Sequence, residues 1–243
     1  MAQYESSIPG RATVVLIHGG GFAVGHPTHV SHYARAAAKL FGITVFSITY
    51  RLTPHYRFPT YHAALGEYNK AAFILGGISA GGNLAAKWIS DKRTPILKGV
   101  WLGVPWIMER EHVPSKYRDL WVSREQNSAS FVLNASTISS ILATYQPDFL
   151  SPDFSPFNSA NLHQVCGQDP LRDDGLIYEK ILRDHGVLTK IDVYLGVPHG
   201  FADLFPGFSL ILEYLKDSMK GFGWLYGVEI SDVEIAKAYA PVS

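Results

Sequence analysis

The sequence has a single cysteine, Cys166, so no disulfide can form within the chain. A lone cysteine of this kind is predicted to be a small buried apolar residue, not a reactive thiol. Charge of one sign is also missing. The 21 Lys and Arg balance 21 Asp and Glu, and the cations are scattered. That leaves no electrostatic footprint for nucleic acid or for an anionic membrane surface. No apolar run approaches the ~18–20 residues of a membrane span. The apolar stretch nearest the N-terminus, Val14–Ile17, is too short for a signal-peptide core. There is no internal repeat, low-complexity tract or charge block. These absences predict a soluble, cytoplasmic protein with neither nucleic acid nor a membrane span among its partners.

What is present is apolar. Hydrophobic residues make up 47% of the 243, enough to bury a sizeable core in one domain, 1–243. Six β-rich runs recur: Thr13–Ile17, Ile43–Ile48, Ala72–Leu75, Leu97–Gly103, Leu162–Cys166 and Lys190–Leu195. Most are continuous rather than alternating, as in strands covered on both faces. Helical patterns lie between them, at Thr28–Phe41, Gly82–Ser90, Asp173–His185 and Phe208–Met219. The alternation predicts an α/β fold, a mostly parallel sheet of about six strands with helices on both faces. Residues 105–159 break the rhythm with Pro, Ser and aromatics and one good helix, Ala135–Tyr145. An insertion of that size is expected to be a lid or pocket wall. In the tail, 228–243, Ser231 and Glu234 have capping-box spacing, which predicts a helix over Asp232–Tyr239.

Two glycine-rich stretches follow strands. Gly77-Ile78-Ser79-Ala80-Gly81 reads G-x-S-x-G between a strand and a helix, the context of a nucleophile elbow. The turn is so tight that the neighbours two residues either side of Ser79 must lack bulk, which Gly77 and Gly81 supply. The hydroxyl is then exposed at a helix N-terminus, where free N–H groups favour developing negative charge. His18-Gly19-Gly20-Gly21-Phe22 follows the first strand, and its bare backbone can present N–H donors to an oxyanion. The spacing of Gly19–Gly21 does not fit a dinucleotide-binding G-x-G-x-x-G.

A serine hydroxyl needs an oriented base. Asp169 lies just past one strand and His199 just past the next, in loops that would be neighbours at the carboxyl edge of a parallel sheet. Asp173 and Asp174 read as first-turn helix residues, His185 as a helix C-terminal residue and His163 as a packed strand residue. His26, His29 and His32 are spaced too loosely for a metal site without an acidic or thiol ligand nearby. A solvated helix start is expected there, and no metal.

With these residues assembled, the chain resembles the hormone-sensitive-lipase-like branch of α/β-hydrolases, which includes arylacetamide-deacetylase-type carboxylesterases. The matching stretches are HGGGF (18–22), YRLTP (50–54), GISAGGNLA (77–85), DPLRDDGLIYEK (169–180) and VPHGF (197–201), in family order. The resemblance implies an α/β-hydrolase fold with Ser79 as nucleophile, Asp169 as orienting acid and His199 as base. It implies an oxyanion hole from the N–H groups of Gly20, Gly21 and Ala80, with His18, Gly19, Gly77 and Gly81 as motif support. It further implies hydrolysis of a small-molecule ester without metal or cofactor. Acyl transfer or a biosynthetic cyclisation or elimination at the same residues, and a non-catalytic receptor on this fold, stand as the alternatives.

The chain departs from that pattern in places. About a dozen residues precede the first strand, where relatives carry several dozen, so early strands and an N-terminal cap are expected to be missing. Ala64–Lys70 and Asn158–Leu162 look short, and His55 and Ile78 stand where acidic residues are common. An uncapped edge at Ile43–Ile48 is expected to be covered by the tail or by a second copy in a homodimer. Phe22, Trp106, Phe131, Tyr145, Phe149 and Phe201 are the expected lining of an apolar or aromatic substrate pocket.

Overall fold

Val14 and Leu16 face one hydrophobic cluster and Val15 and Ile17 another, so the strand they share is buried on both sides. A computed structural model describes residues 13–59, 73–90, 97–151, 154 and 161–240. Six strands lie within them: β1 (Thr13–Ile17), β2 (Thr44–Ile48), β3 (Phe73–Ile78), β4 (Leu97–Gly103), β5 (Asn161–Cys166) and β6 (Thr189–Tyr194). They form one sheet in the order β2-β1-β3-β4-β5-β6, with every neighbouring pair parallel. The same split of successive side chains holds in β3, with Leu75 on one face and Ile74 on the other, and in β4, with Leu102 opposite Trp101. A two-residue period with both faces apolar is what makes the runs continuous in sequence.

Among the described residues, helices lie in the crossovers that follow β1, β3, β4 and β5. In chain order the helices are α1 (Ser31–Phe41), α2 (Ala80–Ser90), α3 (Ser123–Gln126), α4 (Ala135–Tyr145), α5 (Arg172–Asp184), α6 (Phe201–Leu204), α7 (Ile211–Tyr226) and α8 (Asp232–Tyr239). Residues of α2 and α5 fill one side of the sheet, and those of α1, α7 and α8 the other. A 3-10 turn, Pro27–Val30, occupies the start of the pattern expected to be one helix, and α1 ends at Gly42 with φ +62°. α7 runs about two turns past the expected Met219, through Gly221 and Gly223 to Tyr226. There glycine serves packing: a methyl on Gly223 would come 2.5 Å from the Val228 carbonyl oxygen.

Ser231 and Glu234 form the full capping box at the start of α8. Within the described residues the tail does not follow the expectation that it covers the β2 edge. α8 packs on α1 and α7 instead, burying Ile235 and Ala238, and Lys39 Nζ donates to Ala240 O at 3.1 Å. Among the described strands β2 stays at the end of the sheet, with Phe46 39% exposed. The apolar stripe of α8 finds a deeper partner in the helical layer than a strand edge of Thr and Ser offers.

Chain order decides where a site can form. β1 leads outward to β2, and the chain then returns to place β3 on the other side of β1. The loops after β1 and β3 therefore diverge at a topological switch point, where a crevice opens beyond the strand ends. Those loops are 18–22 and the turn at Ser79. Ile17 and Gly77 are register partners, so both loops start level. Among the described residues, no helix is long and apolar enough to cross a membrane. The expectations for Ala64–Lys70, for residues 158–160 and for the His163 side chain lie outside the described residues.

Candidate active site

Ser79 joins the end of β3 to the first turn of α2 with φ +54°, a conformation that is strained for any residue with a side chain. The strain is held from both sides. Ser79 N donates to Gly103 O at 2.8 Å, and Ser79 O accepts from Asn83 N at 3.1 Å. A methyl on Gly77 would sit 2.1 Å from Gly81 O, and one on Gly81 would sit 2.3 Å from Ile17 O. Neither position admits a Cβ, which is the physical content of the G-x-S-x-G spacing.

His199 Nε2 lies 3.0 Å from Ser79 Oγ, and its Nδ1 lies 2.7 Å from Asp169 Oδ2. The carboxylate can only accept, so Nδ1 carries the proton and Nε2 is left to accept from the serine hydroxyl. Asp169 Oδ1 accepts from Leu171 N at 2.8 Å, so both carboxylate oxygens are engaged. The serine, imidazole and carboxylate are all buried, at 7%, 8% and 1% exposure, and relay contacts gain strength where water is excluded. The loops that bring them together are stitched to each other: Gly167 N donates to Tyr194 O and Gln168 N to Val197 O. Behind His199, the α6 residue Asp203 accepts from Tyr33 OH at 3.1 Å and lies 3.3 Å from His32 Nε2.

The 18–22 loop lies against the serine. A methyl on Gly19 would come 3.3 Å from Ser79 Cβ. Gly20 has φ +122° with Val24 O filling the place a side chain would need, and Gly21 has φ +57°. Among the described residues, no turn or loop hydrogen bond takes up the N–H of Gly20, Gly21 or Ala80. His18 braces the loop from below. Its Nδ1 donates to Gly19 O at 2.7 Å, its Nε2 lies 3.1 Å from Thr49 Oγ1, and its ring stacks on Tyr50. Burial lowers the His18 pKa, which favours the neutral ring.

Of the six expected pocket aromatics, Phe22, Trp106, Tyr145 and Phe149 lie in or against one hydrophobic cluster, and Phe201 lies in the other. Trp106 and Phe201 are fully buried, in the clusters on opposite faces of the sheet. Trp106 Nε1 donates to Glu109 at 2.8 Å, and Phe201 packs among Tyr194, Phe208 and Tyr214. Phe22 stacks on Tyr145 with ring centres 4.1 Å apart, and Phe149 meets Phe154 edge-on. Phe131 is 83% exposed and lines a different groove of about 480 Å³ with Phe205, Phe208, Pro198 and Gln168. Aromatic composition alone does not say which rings a fold spends on its core. Besides Tyr145, one residue that was not anticipated touches the loop: Ile141 of α4 lies where a side chain on Gly21 would point, 2.6 Å from that Cβ position.

Asp173 and Asp174 stand in the first turn of α5, as expected, but do much more than face a helix dipole. Asp174 is fully buried and accepts from Ile107 N, Met108 N, Trp121 Nε1 and Arg124 Nη2. Burial pushes its carboxyl up to about 7 against the opposing pull of the Arg124 guanidinium. Asp173 accepts from Val122 N and Ser123 N. The repeated acids in the stretch DPLRDDG were the available signal, but their partners lie some 50 residues away. Cys166 is buried in the core beneath the Asp169 loop, and burial raises its thiol pKa, consistent with a packing role. His26, His29 and His32 go separate ways, to Thr28, to the His18 ring and to Asp203.

A parallel sheet with a strained serine after its third strand and an acid and a histidine after its last two defines an α/β-hydrolase. The family described as alpha/beta hydrolase fold matches residues 14–203, and the chain belongs to it, in the hormone-sensitive-lipase-like group. An AB hydrolase superfamily protein of Schizosaccharomyces pombe is 30% identical, over 88% of this chain and 71% of its own length. A versiconal hemiacetal acetate esterase of Dothistroma septosporum is 29% identical, over 86% of this chain and 71% of its own. Among solved structures, vibralactone cyclase superposes with a TM-score of 0.80 at 29% identity, covering 93% of this chain and 74% of that one. A hyperthermophilic esterase from the archaeon Pyrobaculum calidifontis does so at 0.73 and 29%, covering 91% and 76%.

Proposed function

We propose that this chain is a serine hydrolase that cleaves carboxylic esters of apolar or aromatic small molecules through an acyl-serine intermediate. The observation that carries this reading is the unbroken relay from Asp169 Oδ2 through His199 to Ser79 Oγ, with contacts of 2.7 and 3.0 Å. In this reading His199 Nε2 takes the serine proton as Oγ attacks the ester carbonyl. Asp169 holds the imidazole in the required tautomer and stabilises its cation. The new oxyanion is received by the N–H groups of Gly20, Gly21 and Ala80, and each such donor contributes roughly 2.7–4 kcal/mol. His199 then returns the proton to the leaving alcohol, and water repeats the sequence on the acyl-serine. Residues 105–159 act as the lid of a single domain. The apolar preference is supported by Ile141 over Gly21 and by the Phe22–Tyr145 stack beside it. Relatives of this chain that carry esterase names, such as the Dothistroma septosporum protein, support the reaction class.

A second outcome at the same residues is favoured by one observation, the 0.80 TM-score with vibralactone cyclase. An acyl-serine whose acyl group carries its own hydroxyl can be released by ring closure, the hydroxyl oxygen replacing Ser79 Oγ on the carbonyl and its proton passing to His199. Labelling with a fluorophosphonate probe tests the shared step. Wild type is expected to be modified at Ser79 and Ser79→Ala to stay unmodified; a folded wild type that resists the probe overturns both readings. Product analysis with simple and hydroxy-acyl esters then separates hydrolysis from ring closure.

A further inference from the structure

Three successive carbonyls of the turn that carries Asp169 are held by side chains of one short segment. Gln168 O accepts from Ser130 Oγ at 2.9 Å, and Asp169 O from Asn127 Nδ2 at 3.1 Å. Pro170 O accepts from Ser123 Oγ at 2.7 Å and from Arg124 Nη1. The segment is itself fixed to the helix that follows the turn. Asp173 takes the N–H groups of Val122 and Ser123 at 2.7 and 2.6 Å. Arg124 Nη2 reaches Glu109 at 3.0 Å and Asp174 at 3.1 Å, and its side chain is only 12% exposed. Residues 123–130 and 168–174 thus form one closed lattice, with the carboxylate of Asp169 projecting from it toward His199.

We infer that residues 123–130 form a positioning cradle for the catalytic acid, with Asn127 and Arg124 as its main positioning residues. The inference rests on the reading of Asp169 as the acid of an acyl-serine enzyme. Among the described residues, the hydrogen bonds of Ser123, Arg124, Asn127 and Ser130 go to the turn and its neighbours and not to Ser79 or His199, so they act through the turn. Three carbonyls held at once fix both the height and the twist of the peptide planes, and hence the direction of the Asp169 side chain. A displacement near 1 Å of an orienting group costs up to ~100-fold in rate. The cradle also takes up part of the expected lid. Its first part, through residue 130, is bonded to the acid turn, and α4, which carries Ile141, is tied to that part where Ala135 N donates to Ser128 O at 2.8 Å.

The test uses Asn127→Ala, the Asn127→Ala/Ser130→Ala pair and Arg124→Lys. Thr189→Val serves as comparison, since it removes the 2.6 Å hydrogen bond to Glu179 on the far side of α5. Two readouts are taken: steady-state rates with a small acetate ester across pH, and the low-field proton resonance of His199 Nδ1–H in the ligand-free protein. The pair is expected to lose ~10-fold or more in kcat with KM within ~2-fold, and to shift or broaden that resonance. Thr189→Val is expected to leave both unchanged. Arg124→Lys retains the charge but not the fork, so it is expected to fall between wild type and the pair. If the pair keeps wild-type kcat and an unmoved resonance while folded, the cradle is overturned. If wild type itself fails to hydrolyse esters but its resonance still moves in the pair, the cradle stands and the functional reading falls.

Discussion

Ile141 of α4 lies directly over Gly21, so that a methyl group added to the glycine would come within 2.6 Å of the isoleucine Cδ1. In the proposed reading, an acyl chain bound with its oxyanion on this loop would lie beside that side chain. Ile141→Ala is expected to raise kcat/KM for butyryl and hexanoyl esters relative to acetyl by ~10-fold, the scale on which pocket methylenes discriminate. Rates on a graded series of p-nitrophenyl esters check this, and an unchanged profile would move the acyl site elsewhere.

The relay predicts unequal losses. Asp169→Asn keeps the shape of the acid but reverses the tautomer that His199 needs, and should lower kcat by about 10⁴-fold. Gln164→Asn, in the strand that leads to the Asp169 turn and buried among Trp101, Tyr194 and Ser218, should lower stability with little change in kcat per folded molecule. Turnover normalised to fluorophosphonate-labelled protein separates the two effects.

Glycines on this chain are of two kinds, and alanine distinguishes them. Gly186 has φ +77° but nothing near its Cβ position, so Gly186→Ala should cost only the left-handed backbone penalty, ~1–2 kcal/mol. Gly77→Ala drives a methyl to 2.1 Å from a backbone oxygen and has no flexible neighbour to displace. It should exceed ~3 kcal/mol or prevent folding, because overpacking against main chain adds to any local strain. Urea titration of the two variants makes the comparison; similar midpoints would contradict it.

Acid should loosen the tail before the core. Hydrogen bonds from Lys216 and Lys220 of α7, at 2.8 and 2.7 Å, hold the Asp232 carboxyl down at about 2, below its ordinary 3.8. A carboxyl depressed on folding contributes stability above its unfolded pKa and loses it as pH falls through the folded one. Docking of α8 should therefore weaken between about pH 4 and pH 2, modestly, because the group is exposed and screened by salt. Amide shifts of residues 232–239 followed by NMR should show this in wild type and a flat response in Asp232→Asn. Identical curves would assign the change to another group.

Much of the fold was legible because its signals are local. β1, β4, α4 and α8 occupy the spans that periodicity and capping marked, since a strand buried on both faces and a capping box are each written within a few neighbouring residues. α7 extends beyond the Met219 expected from the pattern to Tyr226, and the closeness of the Val228 carbonyl explains why Gly223 is retained inside it. Ser79 could be singled out for the same local reason: two bulk-free neighbours at fixed spacing are a steric requirement of the turn itself.

What the linear chain determined about this protein is therefore its alphabet of elements and the strained serine, each set by interactions between residues a few positions apart. The folded molecule alone decided which aromatics became core, that Ile141 and not Phe131 sits on the glycine loop, and that Ser123 to Ser130 hold the acid turn. Those outcomes depend on contacts across roughly 40 to 120 positions, where packing and hydrogen-bond geometry choose among many chemically similar side chains.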